Sequence, residues 1–526
     1  MQQATCEKYS NSGTHSINMN TNNIYLGKEG QDKLIYAINR VADSARITLG
    51  AKGENGILQS SLLPGHIVTN DGVSIVRQAL FDDPVEQIGA NLLKEVSMRT
   101  DKQSGDGTTT SVVLTQAIIE EALKQGVKGV ELKKSFDACL PIIEQLLDDQ
   151  KKEVDLDSVK AVATISAESE TLGGTIAQIY KEIGKNGIIE IDNSRTFETF
   201  YKINEGIRFQ GAAMMSPYMA NKDGQAVYEN PYILITEQRI STQGDLTPIV
   251  EKLVKKGITE LVVVCDDIDL AVLSALMFTA AQGVFKVLVI KAPTVMKDAF
   301  FEDFTIATGG KIVNEISGIT LKTVEISDLG TCKKMTASRE QTTLVGIKDV
   351  SAHIEDLKKK DDAISEFRVK RLNTKLATLF MGSNSEVELS YLRLKAEDAV
   401  NAAKLALQDG VVVGGGVALL NVANSLPDTL GGKVLKEALK KPIKQIIENC
   451  GVEYNQHLEN AFGGSNGFNA KTGAVVDMWE AQIIDPVVVT KNAVRNAISV
   501  AGTVLTAGVV LTLPPQKVEN QSPFGM

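Results

Sequence analysis

This sequence is poor in the residues that build disulfide and metal frameworks. Its 526 residues include five cysteines and four histidines. Cys6, Cys139, Cys265, Cys332 and Cys450 are scattered, odd in number and never spaced as C-x-x-C. That argues against a disulfide framework and a thiolate zinc site and fits a reducing cytosol. His15, His66, His353 and His457 stand far apart, whereas zinc sites favour close ligand pairs. Positive charge is also in deficit: 55 Lys and Arg against 65 Asp and Glu leave a net charge of -10. A nucleic-acid binder usually shows a basic face instead. Long apolar runs are missing. Ala497 to Leu513 is 17 residues long and is broken by a serine, three threonines and two glycines. It is too short and polar to span a bilayer and reads as a buried helix followed by a strand. The first 23 residues hold no apolar h-region and no arginine, so neither a signal peptide nor a transit peptide is expected. Residues 1–21 read as a polar, disordered extension. There is no G-x-x-x-x-G-K-[ST] pattern, which excludes a P-loop enzyme.

What remains is ordinary globular material, 43% hydrophobic and 23% charged. The length suggests about three domains. Leu34, Ile35, Ile38, Val41, Ala42 and Ala45 recur at helical spacing before Gly50, which is expected to stop the helix. "TTTSVVLTQAIIEEALKQG", closed by Gly126, and "ELKKSFDACLPIIEQLLDD" follow as helices. From about Gly206 to Leu376 the pattern changes. "YILIT", "ELVVVCDD" and "FKVLVIKAP" are apolar strands, with "LTPIVEKLVKKG" and "LAVLSALMFTAAQG" as helices between them. This alternation predicts a buried parallel sheet. A strand and a long helix ending at Gly410 come next, and residues 411–526 are helical again around Gly414, Gly415 and Gly416. The simplest organisation is a multi-domain α and α/β chain: a mostly helical domain split by an α/β insert, with connecting pieces on both sides.

Three loops in the first block carry chemistry: "TLGAKG" (48–53), "TNDGVS" (69–74) and "SGDGTTT" (104–110). Glycine lets backbone approach a ligand and present its N–H groups. Thr108 to Thr110 open a helix, so their amides sit at its positive end and their hydroxyls add donors for phosphate oxygens. Asp106 repels phosphate but suits a magnesium ion bridging phosphates. An ordinary N-cap explains any one such loop. Three of them within about 60 residues put a nucleotide site on an equal footing with ordinary caps.

"ITLGAKG", "TNDGVSIVR", "GDGTTTSVVLTQAII", "TISAESE", "EDAVNAAKLALQDGVVVGGGVALL" and "GFNAKTG" with "IIDPVVVTKNAV" occur in the order and spacing of the group I chaperonins of the GroEL type, which the chain resembles from about residue 22 to 513. The resemblance implies a GroEL-like fold. Its equatorial domain is 22–150 and 410–526, its intermediate domain 151–205 and 377–409, and its α/β apical domain 206–376. It also implies a chaperonin that hydrolyses ATP with magnesium and potassium (K+). ATP would be lined by Thr48, Leu49 and Gly50, by Asp71 and Gly72 at the phosphate end, and by Gly107 with Thr108, Thr109 and Thr110. Ile165 and Ser166 lie nearby, and Gly415, Phe468, Asn469, Ala470, Ile483 and Asp485 surround the base and ribose. Asp106 would hold the metal. Asp398, with Asp71, would be catalytic, Asp398 orienting or deprotonating the attacking water. Met214, Tyr218, Met219, Val250, Leu273, Met277 and Phe278 would bind non-native polypeptides. The implied assembly is a homo-oligomeric ring of seven, single or double, working in the cytoplasm with a co-chaperonin and without nucleic acid or membrane.

The chain departs from the family pattern. Asn70 stands where that pattern has lysine, and Ala51 where it has proline. Thr374 and Lys375 occupy a hinge that the family builds from glycines, although Gly206 and Gly410 match hinge glycines. Thr247 replaces an apolar apical residue, and "QSPFGM" lacks Gly-Gly-Met repeats. These features mark a divergent member. Asn70 and the Thr374–Lys375 hinge also motivate a rival, a client-holding ring with weak or absent ATPase, and a soluble phosphotransferase using the same phosphate loops is a more remote one.

Overall fold

A computed structural model describes residues 23–59, 66–194, 196–222, 224–360 and 362–512. The extension expected over residues 1–21 and the closing "QSPFGM" lie outside them. The chain divides into two compact units, Met1–Ser169 with Asn401–Met526, and Glu170–Val400.

The first unit opens with β1 (Asn23–Leu26) and α1 (Lys28–Arg46). Leu34, Ile35, Ile38, Val41, Ala42 and Ala45 are all buried, as their spacing predicts. The helix stops before Gly50 because the Thr48 hydroxyl folds back to donate to the Ala45 carbonyl at 2.9 Å. The hairpin β2 (Gly56–Gln59) and β3 (His66–Thr69) leads to α2 (Gly72–Gln78) and α3 (Pro84–Ser104). α4 (Thr108–Lys124) starts where the three threonines predict a helix start. It is buried almost all round, from Val112 to Ile119, as a central helix must be. α5 (Gly129–Gln150) and α6 (Leu156–Ala167) complete this stretch.

The second unit holds α7 (Glu170–Ile183), β4 (Ile188–Asn193), β5 (Phe200–Gln210), β6 (Ala213–Met214), β7 (Ala226–Glu229) and β8 (Tyr232–Thr236). Then follow α8 (Thr247–Lys255), β9 (Glu260–Cys265), α9 (Leu270–Ala281), β10 (Lys286–Lys291), α10 (Lys297–Thr308), β11 (Ile312–Val313) and β12 (Gly330–Thr331). β8, β9, β10 and β11 pair in parallel, as the strand–helix alternation predicts. β6 and β12 add antiparallel edges. Residues 261–265 and 287–290 are buried without interruption, the pattern of a covered parallel sheet. Phe209 packs against Phe300 and Phe304 of α10, with ring centroids 5.3 and 5.1 Å away.

A second six-stranded sheet is mixed, in the order β4-β15-β5-β14-β13-β7. It uses β13 (Lys334–Ala337), β14 (Gln341–Val345) and β15 (Lys375–Met381), with α11 (Ser351–Lys358) and α12 (Ala363–Leu372) before β15. β5 and β15 run unbroken through positions 206 and 376, where the sequence pattern changes. α13 (Glu386–Asp409) leads back to the first unit.

The last stretch is β16 (Val411–Val413), α14 (Val417–Ser425), α15 (Leu430–Ala438), α16 (Lys441–Asn449) and α17 (Gln456–Ala461). β17 (Asn466–Asn469), β18 (Ala474–Asp477), β19 (Ile484–Pro486), α18 (Val487–Thr506) and β20 (Val509–Thr512) follow. α18 is a buried helix followed by a strand, as composition predicts. No helix of the described residues is long and apolar enough to cross a membrane. β1 and β20 pair antiparallel.

Candidate functional site

The glycine loops of the first unit converge, and their glycines show why. A Cβ on Gly72 would lie 2.1 Å from the Thr109 hydroxyl, so the 69–74 loop rests on the first turn of α4. A Cβ on Gly107 would lie 2.6 Å from Val489, which sets the 104–110 loop on the first turn of α18. Gly107 is also left-handed (φ 78°) and has no side chain with which to cap α4. The helix therefore presents first-turn amides and three hydroxyls at its positive end.

Asp71 caps α2, accepting from the Val73 and Ser74 amides at 3.1 and 3.0 Å and from the Ser74 hydroxyl at 2.5 Å. Asn70, beside it, donates to both carboxylate oxygens of Glu168 at 2.9 Å. The Asn70 Oδ1 and the Ser166 Oγ are buried without a protein partner, while Ile165 is exposed.

The glycine run faces the same region. A Cβ on Gly414 would lie 3.0 Å from an Asp485 carboxylate oxygen, and one on Gly415 would lie 2.8 Å from Met478. The Asp485 residue keeps some open surface, but its carboxyl sits deep. Burial first, and the charge of Asp106 second, push that carboxyl up to about 7. The 48–53 loop is held from behind by α16: Asn449 donates to the Arg46 and Leu49 carbonyls, both at 2.9 Å. Ile446 of α16 backs Gly50, and Ile443 backs Gly416, so one helix supports both loops. Phe468 and Ala470 are buried, and Asn469 turns its own loop by accepting from the Lys471 amide at 3.0 Å.

The structure thus brings Gly72, Asp106, Gly107, Thr109, Gly414 and Asp485 together, with Thr48, Leu49 and Gly50 tied to the same frame. The carboxylates are hard oxygen donors, and the glycines let the loops close on one another where a Cβ would not fit, a combination that fits a magnesium-bound polyphosphate. Asp398 is half-buried on α13 and belongs to the other unit.

The seven apolar residues expected to hold clients divide by burial. Met214, Met219 and Leu273 sit in the core, and Val250 and Met277 pack partly against it. Tyr218 is 87% exposed and Phe278 67%. α9 carries no charged residue, and Leu270, which sequence reasoning missed, is exposed on it with Phe278. α9 is apolar nearly all round, so no spacing in its sequence marks Leu270 as exposed. Asn449 was also missed, because a lone asparagine at a helix end reads as solvated.

Among the described residues, Glu302, Asp303 and His353 form the one cluster spaced for a metal ion. Arg368 reaches Asp303 at 2.5 Å and Glu302 at 2.6 Å, and Arg371 also binds Asp303. Burial opposes ionisation of Asp303, but hydrogen bonds from Arg368, His353 and Arg371 hold its carboxyl below the usual range. A cation there would face two guanidinium groups, so the cluster is an ionic lock within the unit.

Comparison with known proteins adds an independent view. A family model of the TCP-1/cpn60 chaperonin family matches residues 41–513. Among solved structures, the chain resembles the chaperonin gp146 from bacteriophage EL 2 (Pseudomonas aeruginosa), crystallised in the presence of ATP-BeFx. One crystal form matches with a TM-score of 0.69 at 18% identity, covering 93% of this chain and 98% of that one. A second form matches with a TM-score of 0.64 at 18% identity, covering 93% and 99%. The fold is therefore the GroEL-like multi-domain fold expected from the motifs.

Proposed function

The chain belongs to the TCP-1/cpn60 chaperonin family, and on that premise we propose that it is an ATP-dependent chaperonin. Its subunits have equatorial, intermediate and apical domains and assemble into a ring, of seven copies in one or two layers. It binds non-native polypeptides on an apolar apical face and releases them through cycles of ATP binding and hydrolysis in the cytoplasm. The observation that carries this reading is the convergence of Gly72, Gly107 and Gly414 on Thr109, Val489 and Asp485, with no room for side chains.

In this reading the amides and hydroxyls of Thr108, Thr109 and Thr110 hold phosphate oxygens at the positive end of α4. Asp106, beside Asp485, holds magnesium, which when bound neutralises phosphate charge and fixes its orientation. Asp71 is immobilised by the α2 amides, so it keeps the phosphate end of the site in place. Asp398 accepts the proton of the attacking water as ADP leaves.

The client face is built from Tyr218, Leu270 and Phe278, with Val250 and Met277 beneath. Met214, Met219 and Leu273 hold that surface from the core. An uncharged helix with an open apolar side suits many partners. Ring assembly has its own support. β1–β20 and β2–β3 are two-stranded sheets, and Ile24, Leu26, Ile57 and Leu511 on them are exposed. Such sheets are marginal alone, and open edges accept strands. A hairpin from one copy laid on the terminal sheet of the next is a head-to-tail contact, the kind that forms a ring where its rotation closes.

The test is steady-state ATP hydrolysis by the purified protein beside Asp398→Ala, with magnesium and with or without potassium, and electron microscopy of the same samples. We expect rings, turnover by the wild type, and nucleotide binding without turnover by the variant, a loss of about 10²–10⁴-fold. The rival is a ring that holds clients passively, favoured by Asn70, which is tied to Glu168 where the family has lysine. It predicts suppression of client aggregation that ATP leaves unchanged.

A further inference from the structure

α18 meets the metal loop along one stripe. Val489, Asn492 and Asn496 are three and four residues apart, so they share a face of the helix. Val489 fills the space beside Gly107. Asn492, 7% exposed, donates from Nδ2 to the hydroxyl of Ser104 at 2.9 Å, and Ser104 is 3% exposed. Asn496, 4% exposed, donates to the Thr100 hydroxyl at 3.0 Å and to the Gln103 side-chain oxygen at 2.9 Å. Arg495 donates to the Asn492 Oδ1 at 3.3 Å, so that amide is used at both ends.

Arg495 also pairs with Glu144, and Lys491 with Asp148, at 2.7 and 2.6 Å, which pins α18 to α5. Buried amides cost stability unless their partners are met, and aliphatic side chains would pack such a helix interface without that cost. Here two amides face the last five residues of α3, immediately before Gly105 and Asp106. Asp485 lies four residues before Val489, on the strand that feeds the same helix. One rigid helix therefore carries Asp485 at its base and grips the Asp106 loop along its side.

We propose that Asn492, through Ser104, and Asn496, through Thr100 and Gln103, are positioning residues that hold Asp106 in register with Asp485 and so set the affinity for metal-bound nucleotide. This rests on the nucleotide reading above. Supporting groups of this kind change metal affinity by about 10–100-fold when removed.

The probe is Mn2+, followed by electron paramagnetic resonance in the full-length protein with a non-hydrolysable ATP analogue. Asn492→Leu is expected to weaken Mn2+ binding about tenfold, and Ser104→Ala to weaken it in the same direction. If Asn492 acts through Ser104, the double variant binds no more weakly than Asn492→Leu alone. Binding of a fluorescent ADP without metal stays unchanged. Gln116→Leu is the control, a buried amide of α4 that pairs with Asp43 at 3.0 Å. It lowers the melting temperature but leaves Mn2+ affinity intact. If Asn492→Leu does not fold, Ser104→Ala carries the same prediction. Wild-type protein that binds no Mn2+-nucleotide overturns the nucleotide reading and this inference together. Wild-type binding with unchanged affinity in both variants, or an equal loss in Gln116→Leu, overturns the inference alone.

Discussion

The two units hold their functional groups in opposite ways. The nucleotide site proposed on the first is made by backbone: glycines with no room for a Cβ, the start of α4 without a side-chain cap, and Asp71 fixed by amides. The face proposed on the second is made by exposure alone. Leu273 and Phe278 lie five residues apart on one uncharged helix, yet the first is in the core and the second is open. A site built from backbone depends on local residues that sequence spells out. A site built from exposure depends on what the rest of the fold happens to cover.

The sharpest way to break this comparison is to fill the backbone site with a single methyl group. Gly72→Ala would place a Cβ 2.1 Å from the Thr109 hydroxyl. We expect ATP turnover to fall about 100-fold, since displacements near 1 Å at a reacting centre cost that much. The melting temperature should fall as well, because the clash is with Thr109 itself and is present without nucleotide. Retention of full activity would show that the glycine loops are structural turns and that the convergence is coincidental.

The exposure side gives a smaller contrast. Leu273→Ala removes a buried side chain and should destabilise the second unit by about 2–5 kcal/mol. Phe278→Ala should leave stability unchanged and weaken capture of a denatured client, read as aggregation suppression by light scattering. If both residues affect capture equally without changing the melting temperature, then α9 shifts to expose its buried side, and burial does not define the face.

This difference also explains what the sequence made legible. "SGDGTTT" announces a helix start, an anion site and a carboxylate within seven residues, and α4 begins where it says. The parallel strands around "YILIT" and "ELVVVC" were equally plain, since uninterrupted apolar runs mark covered strands. β16 and β19, three residues each, are too short to alternate, and the last block reads as helix without them. Asn492 and Asn496 look like interruptions of an apolar helix. Their role appears only when α3 lies beside them, and nothing local predicts that. Burial of Leu273 was hidden because α9 has no charged side from which to infer direction, and burial of Met214 and Met219 depends on the core that the sheet builds around them.

The smallest expected effect separates the two units by pH. The Asp485 carboxyl is held up to about 7 by burial and by Asp106, against an ordinary value of 3.8. A carboxyl whose folded value is raised favours folding in its protonated form. Its contribution is fully present below about pH 4 and is lost as pH rises through 7. The nucleotide-free first unit should therefore lose stability between pH 5 and pH 8 relative to Asp485→Asn, which stays neutral throughout. The second unit has its own buried carboxylate, Asp303, but this one is held below its ordinary value by Arg368, His353 and Arg371. It is ionised across that whole window and adds no slope. Melting curves of wild type and Asp485→Asn at both pH values decide the matter. If the difference between them does not change with pH, Asp485 already ionises in the folded chain, and the carboxylates of the site do not press on one another.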